Sequence, residues 1–421
     1  MIITRNHEKM RKILSRGDVF DEKYLNIVMD ILKDVKNRGD SALEYYTAKF
    51  DKHDIRNNLT IEKTEMKKAY DNLDNKVKKA LIRAELSIRQ YHEKQLETTW
   101  LYSKKDGVML GQKVTPIARV GIYVPGGKAV YPSSVLMNSV PANVAGVSSI
   151  VMTTPAINGE VQDIVLAAAY MGGVDKVYKI GGAQAIGALA YGTESVEKVD
   201  KIVGPGNIFV ALAKKIVFGT VDIDMIAGPS EITIIADDSA NPGWIAADML
   251  SQAEHDEMAS SVLITCSENL AENVQDELSR QLRLLPKKEI AERSLNDFGA
   301  IVVVKDMNEA VELSDKIAPE HLELCVEHPY EIMLNIKNAG AIFMGHYCPE
   351  AIGDYIAGPN HTLPTGGSAR FFSPLGTYDF VKKSSLIKFS REAMLEVSDD
   401  VMSLADTEEL SAHRNSIKIR I

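Results

Sequence analysis

Ser149-Ile-Val-Met-Thr153, then Val161-Gln-Asp-Ile-Val-Leu-Ala-Ala-Ala-Tyr-Met171, then Lys176-Val-Tyr-Lys-Ile180 is the stretch that decides the fold. A short run of β-branched and apolar residues reads as a strand, the Ala- and Leu-rich stretch as a helix, and the next short run as a strand again. Outward from it the same texture repeats. Strands are predicted at 120–124, 201–203, 231–236, 261–266, 300–304 and 341–343, and helices at 186–191, 208–218, 244–257 and 270–285. This β-α alternation predicts parallel sheets with helices on both faces.

The flanks read differently. Residues 18–37 and 60–96 carry apolar residues at three- and four-residue spacing (Met66, Tyr70, Leu73, Val77 and Leu81 in the second) and predict charged amphipathic helices. Residues 100–113 read as an antiparallel excursion, and the chain from about Tyr378 onward as a charged helical arm. Gly/Pro punctuation at Val124-Pro-Gly-Gly127 and Ala227-Gly-Pro-Ser230 brackets an inserted domain. The expected division is an N-terminal segment (1–22), a main domain from 23–122 and 232–375, an inserted domain (123–231), and an arm (376–421).

With 421 residues and 45% apolar content the chain has room for two or three globular domains. Its net charge of -10, from 58 acidic against 48 basic residues, argues against nucleic acid as a partner. The Lys-rich stretch 63–94 alternates with acids and reads as a solvated helix face. Three cysteines, Cys266, Cys325 and Cys348, are too few and too irregular for a disulfide scaffold or a CxxC metal site, so a reducing, cytoplasmic setting is expected. No signal-peptide core opens the chain and no apolar run is long enough for a bilayer, so no membrane partner is expected.

The histidines point to chemistry. Three of the nine draw attention by their motifs: Glu254-His255-Asp256, Pro319-Glu320-His321 and Gly358-Pro359-Asn360-His361. His413 follows Glu408 near the end. Imidazole with carboxylate serves proton transfer near neutral pH and the binding of divalent metals.

Each candidate also has a plainer reading. Asn241-Pro242 is a sound helix start. On the helix that follows, Gln252 falls at the border of the apolar stripe and His255 about 60° further round, so both can reach one point in a crevice. They are metal ligands or a surface pair. Asp354, after Gly353, points into a pocket or caps a turn. Asp406-Thr-Glu-Glu409 reads as an N-cap with first-turn acids, which puts Glu408 and His413 about 140° apart on one helix. Glu320 and His321, just after Pro319, line one pocket or are first-turn residues of a surface helix. Two glycine-rich turns, Ile180-Gly-Gly-Ala-Gln184 and Val203-Gly-Pro-Gly-Asn207, offer backbone N–H groups to a pyrophosphate or are tight βα turns. Neither matches GxGxxG, so a dinucleotide there needs another mode of contact, with Tyr123, Gln184 and Asn207 as polar partners.

Taken together, these motifs resemble the histidinol dehydrogenase family over nearly the whole chain. The resemblance rests on Gly121-Ile-Tyr-Val-Pro-Gly-Gly127, Pro132-Ser-Ser-Val-Leu-Met-Asn138, Gly181-Gly-Ala-Gln-Ala-Ile186 and Val203-Gly-Pro-Gly-Asn207. It continues through Ala227-Gly-Pro-Ser-Glu231, Gln252-Ala-Glu-His-Asp256, Ala318-Pro-Glu-His-Leu322, Gly353-Asp354, Gly358-Pro-Asn-His361, and Glu408 to His413. It implies an α/β fold of two Rossmann-like, incompletely doubly wound domains with parallel sheets, plus small helical terminal segments exchanged in a homodimer. It also implies a four-electron oxidation of L-histidinol to L-histidine through the aldehyde with two NAD, the last step of histidine biosynthesis, and one Zn2+ per subunit. By matching motifs, the zinc ligands would be Gln252, His255, Asp354 and His413, and the proton-transfer pair His321 and Glu320, the latter activating water. Substrate contacts would come from Ser230, Gln252, His255, Glu320, Asp354, His361, Glu408 and His413, with Glu408 and His413 from the partner subunit. NAD contacts would be Tyr123, Gln184 and Asn207. A zinc hydrolase and an inactive ligand-binding paralogue are the alternatives, the first disfavoured because four protein ligands leave little room for reactive water.

Overall fold

The computed structural model describes residues 1–3, 8–16, 22–126, 130–286 and 288–421. Gly127 and the Asp18 start of the first expected helix lie outside the described residues. In chain order the strands are Ile2–Ile3 (β1), Thr60–Glu62 (β2), Trp100–Lys105 (β3), Val108–Pro116 (β4) and Arg119–Tyr123 (β5). Then come Ser149–Thr153 (β6), Lys176–Tyr178 (β7), Lys201–Val203 (β8), Asp222–Ile223 (β9) and Glu231–Ala236 (β10). Ser260–Thr265 (β11), Gly299–Val303 (β12), His321–Cys325 (β13), Ala341–Met344 (β14) and Val381–Phe389 (β15) complete the set.

Two six-stranded sheets organise the molecule. The first has the order β2-β7-β6-β5-β8-β9, parallel except for β2, which pairs antiparallel with β7. The second, β1-β12-β11-β10-β13-β14, is parallel throughout. Apart from the edge strands β2 and β1, which come first in the chain, each sheet starts at a central strand (β5 or β10), builds outward on one side, then crosses to the other, which is doubly wound topology. Each sheet is buried on both faces. Within β6, Ile150 and Met152 enter one core and Val151 the opposite one, as strand alternation requires. In the second sheet Ile232 and Ile234 face the helix Pro242–Ala253, while Ile235, Leu322 and Leu324 face the other way. The α/β expectation of parallel sheets with helices on both faces is met.

The expected division groups residues 23–122 with 232–375. In the structure β2 and β5 are strands of the first sheet, and the helix Glu22–Arg38 packs on the helices Gly182–Tyr191 and Ile208–Val217 beside that same sheet. The second sheet draws its strands from Ile2–Ile3 and from residues 231–344.

Four local readings are corrected. Residues 60–96 are not one helix: β2 is followed by Lys63–Asp71 and Asn75–Glu93, because the Asp74 side chain accepts from Lys76 N (2.9 Å) and Val77 N (3.2 Å) and starts a fresh helix. The arm is not helical throughout. Val381–Phe389 pairs antiparallel with β4, so the excursion β3–β4 becomes a three-stranded sheet, a non-local pairing that no local pattern announces. Asp406 is not an N-cap: Arg391–Thr407 ends there, Glu408 is its C-cap, Glu409 turns left-handed (φ 60°) and Ser411–Lys418 follows. Glu408 and His413 therefore sit on different elements, and the one-helix angle between them does not apply. Finally, β13, which begins at His321, is a strand where a loop or helix turn was expected.

Candidate active site

The site is built at the amino ends of β10 and β13. Glu231, the first residue of β10, is buried, and its backbone holds two side chains at once. Its N–H donates to Glu320 Oε2 at 2.9 Å, and its carbonyl lies 3.0 Å from His321 Nδ1. A carbonyl only accepts, so Nδ1 carries the proton and the Nε2 lone pair is open. Nε2 is buried and, among the described residues, has no hydrogen-bond partner. The turn that delivers this pair runs through Ala318, whose left-handed φ of 52° ends the helix Met307–Ile317 just before Pro319 and Glu320.

Strand alternation puts His321 and Glu323 on the face of the sheet covered by the helix Pro242–Ala253. Asn241 caps that helix, accepting from Gly243 N at 2.9 Å, as the sequence led one to expect. Its last turn carries Gln252 into the core, fully buried. With its nitrogen turned to Glu350, the Gln252 amide donates to both carboxylate oxygens at 3.1 and 3.2 Å. Its 3.2 Å approach to His321 Nδ1 is a contact only, because that proton is committed to Glu231. Glu323 Oε1 in turn accepts from Glu350 N at 2.8 Å and anchors the segment that carries Glu350 and Asp354. Asp354 reaches His361 at 3.9 Å.

The electrostatics are those of an acid cluster short of positive charge. Burial raises Glu320 and Glu350 well above the usual carboxylate range, with their acidic neighbours adding to it, and lifts Asp354 to about 6. The imidazoles move the other way. Burial lowers His321 to about 3 and His361 to about 4, and the nearby His255 adds to both. One ligand atom each from His321, Glu350 and Asp354 lies within 4.8 Å of the others, a set able to hold a metal ion.

Of the residues expected at one site, Gln252, His255, Glu320, His321, Asp354 and His361 come together here. His255 stands exposed just past the helix end, its N–H donating to Gln252 O at 3.2 Å. Ser230, half-buried, precedes Glu231 and accepts from Ser260 N at 3.0 Å through its carbonyl. Glu408 and His413 lie exposed on the arm, and among the described residues neither forms a hydrogen bond or ion pair with a cleft residue. Sequence reasoning missed Glu231, Glu350 and Glu323. Glu231 closes the Ala227-Gly-Pro-Ser-Glu231 motif and could have been found there. Glu350 and Glu323 have no histidine beside them, and only the fold reveals them.

The expected cofactor residues meet at the carboxyl ends of β5, β7 and β8. Tyr123, buried, accepts from Gly182 N at 3.1 Å through its hydroxyl and so ties the end of β5 to the first glycine-rich turn. Gln184 is buried, and among the described residues its Oε1 has no hydrogen-bond partner. Asn207 is exposed and caps Ile208–Val217, accepting from Phe209 N at 3.1 Å. Gly204 is needed there: its φ is 110°, and a Cβ would lie 2.1 Å from Tyr123 O. A buried pair clasps this turn, Lys214 Nζ donating to Gly204 O at 2.9 Å and Asp224 Oδ2 accepting from Gly204 N at 2.7 Å.

Residues 14–421 match the histidinol dehydrogenase family. The chain belongs to that family. It is 54% identical over 415 residues to the histidinol dehydrogenase of Aquifex aeolicus, covering 98% of this chain and 96% of the relative. To that of Geobacter sulfurreducens it is 53% identical over 411 residues, covering 97% and 96%. The crystal structure of the Elizabethkingia anophelis histidinol dehydrogenase superposes with a TM-score of 0.93 at 36% identity, covering 99% of this chain and 96% of that one. The expected family, the α/β fold and the class of activity, an NAD-dependent oxidoreductase, are borne out. Among the described residues no helix is long and apolar enough to cross a membrane.

Proposed function

We propose that this chain oxidises L-histidinol to L-histidine in two successive steps through L-histidinaldehyde, as a zinc-dependent homodimer in the cytoplasm. The observation that carries the reading is the pair Glu320 and His321, fixed on one backbone residue with the imidazole Nε2 left open.

The donor set suits a metal. Gln252 and Asp354 border one buried cluster of acids that a divalent cation would neutralise, with His255 beside it; these three and the partner subunit's His413 would hold zinc. When bound, zinc supplies charge neutralisation and orients the substrate's nitrogens, and NAD accepts one hydride in each oxidation. In the first oxidation the carbinol carbon loses hydride and its oxygen loses a proton. His321 Nε2 takes that proton. Burial keeps the ring neutral and weakly basic, so it accepts the proton only as the departing hydride makes the oxygen strongly acidic. Glu320 Oε2 lies 3.8 Å from His321 Nδ1 and offers the ring a counter-charge.

In the second oxidation water adds to the aldehyde. Glu320 accepts a proton from that water as its oxygen bonds to the aldehyde carbon, and the resulting hydrate anion loses hydride to NAD to give the carboxylic acid. Glu231 N–H and the cation Arg16 both favour the ionised Glu320 this step requires, against the effect of burial. Ser230, His361 and the partner's Glu408 hold the substrate.

Exposed apolar side chains along the arm support its exchange between subunits: Ile387, Leu404 and Ile419 are each about two-thirds or more exposed. Three free cysteines suit a reducing compartment. The test is NADH formed per histidine by purified protein with L-histidinol and excess NAD, with and without a chelator. Two NADH per histidine, lost on chelation and recovered with zinc, is the expected result. No NADH from folded, zinc-loaded protein would overturn the reading.

A further inference from the structure

Behind the catalytic pair lies a buried charge that the reaction itself does not use. The Glu231 side chain is fully buried beside Glu320, where its Oε1 accepts from Gly366 N at 2.9 Å. Among the described residues two cations act on it, Arg16 first and Arg370 more weakly. Arg16, from the N-terminal segment and only 6% exposed, places Nη1 3.5 Å from Glu231 Oε1. Its Nη2 donates to Met258 O, just before β11, and its guanidinium stacks over the Phe298 ring with 5.2 Å to the centroid, just before β12. Arg16 thus spans the amino ends of three neighbouring strands and is anchored at two of them independently of Glu231.

We infer that Arg16 is a positioning residue for both oxidations: its charge compensates buried Glu231, so that the Glu231 backbone can hold Glu320 and His321 in register. A buried carboxylate without its counter-charge must take up a proton or draw in water, and either displaces the start of β10. Since Glu231 N–H holds the water-activating group and Glu231 O orients the imidazole, a displacement there disables both steps together. Of the substrate contacts proposed above only Ser230 and Glu320 lie at these strand starts, and the NAD contacts lie on the other sheet, so turnover falls more than binding. The inference rests on the function proposed above.

Steady-state kinetics of Arg16→Met and of the double variant Arg16→Met/Glu231→Gln tests this, with histidinol and, separately, histidinaldehyde as substrate. The expected result for Arg16→Met is kcat lowered at least tenfold in both oxidations with KM within about twofold of wild type. The double variant removes the uncompensated charge but keeps an acceptor for Gly366 N–H, so kcat should recover several-fold over the single variant. A wild-type kcat in folded Arg16→Met, or no recovery in the double variant, overturns the inference. Should Arg16→Met not fold, Arg16→Gln, which removes the charge but keeps a donor for Met258 O, decides it: lowered kcat at unchanged KM supports the role, and wild-type kcat refutes it. Wild-type protein that makes no NADH from histidinol sinks the functional reading and this inference with it. Active wild type beside an unaffected Arg16 variant sinks the inference alone.

Discussion

The two sheets share a strand order and use opposite ends of it. Leaving aside the edge strands β2 and β1, the other five of each run third, second, first, fourth, fifth in chain order: β7-β6-β5-β8-β9 and β12-β11-β10-β13-β14. In the first sheet the candidate cofactor turns lie at the carboxyl ends, at the crossover between β5 and β8, where open parallel sheets ordinarily bind ligands. That end is made of glycine-rich backbone, with one buried ion pair clasping Gly204. In the second sheet the candidate catalytic cleft lies at the amino ends of β10 and β13, and is made of buried ionisable side chains. Topology alone locates the first site. The second depends on which side chains the strand starts happen to carry, so the two ends should respond to different perturbations.

The largest separation is expected from His321→Asn. It removes the open imidazole nitrogen and should slow alcohol oxidation by roughly a hundred- to ten-thousand-fold while leaving NAD binding intact, checked by single-turnover kinetics and by NAD titration. Loss of NAD affinity in this variant would break the distinction between the ends. Glu320→Gln should mainly slow oxidation of supplied histidinaldehyde, by roughly a hundredfold or more. A variant as fast as wild type on the aldehyde would remove Glu320 from water activation. At the other end, Gly204→Ala forces a Cβ against Tyr123 O in a backbone conformation that L side chains rarely adopt. A strain of about 1–3 kcal/mol should appear as weaker NAD binding, with zinc content and histidinol affinity unchanged. Equal weakening of zinc and NAD binding would mean that the ends are mechanically one site.

These differences also explain what could be read before folding. Alternation of short apolar runs with Ala/Leu-rich stretches exposes a parallel α/β core, because both strand faces are buried and periodicity survives locally. His321, Glu320, Gln252 and Asp354 are visible because each stands in a motif of unusual residue types. Glu350 and Glu323 are not, since a buried carboxylate looks in sequence like any surface one. The strand β15 is hidden for a related reason. Val381-Lys-Lys-Ser-Ser-Leu-Ile-Lys-Phe389 has no clean alternation and is largely exposed, and its conformation comes from the partner strand β4. The proposed shared site is legible only negatively: Glu408 and His413 match the family's motif, yet among the described residues neither bonds to a cleft residue. Mixing a His413→Ala protein with a His321→Asn protein should therefore restore a fraction of wild-type activity. No recovery despite demonstrated subunit exchange would mean that each site is complete within one chain.

The smallest effect expected is on the pH dependence of stability, and it should belong to the acid end alone. Asp248, on the helix that carries Gln252, shares a hydrogen bond with buried Glu323, and burial lifts it from 3.8 to about 6. A pKa raised on folding means that the native state holds the proton more tightly than the unfolded chain. The stabilisation is then complete below about 3.8 and is lost as pH rises through about 6. Asp248→Asn keeps a neutral group at every pH and should flatten that part of the curve. The measurement is urea unfolding of metal-free wild type and variant at intervals from pH 4.5 to 7.5. Both proteins share every group outside this pair, including His321 and His361, so the difference between the two curves reports on the Asp248–Glu323 pair. It should grow in favour of the variant toward pH 7.5. Parallel curves would place the shared proton elsewhere in the cluster. By contrast Gly204→Ala, at the end made of backbone, should shift the wild-type curve down evenly at every pH, since no titrating group is lost there.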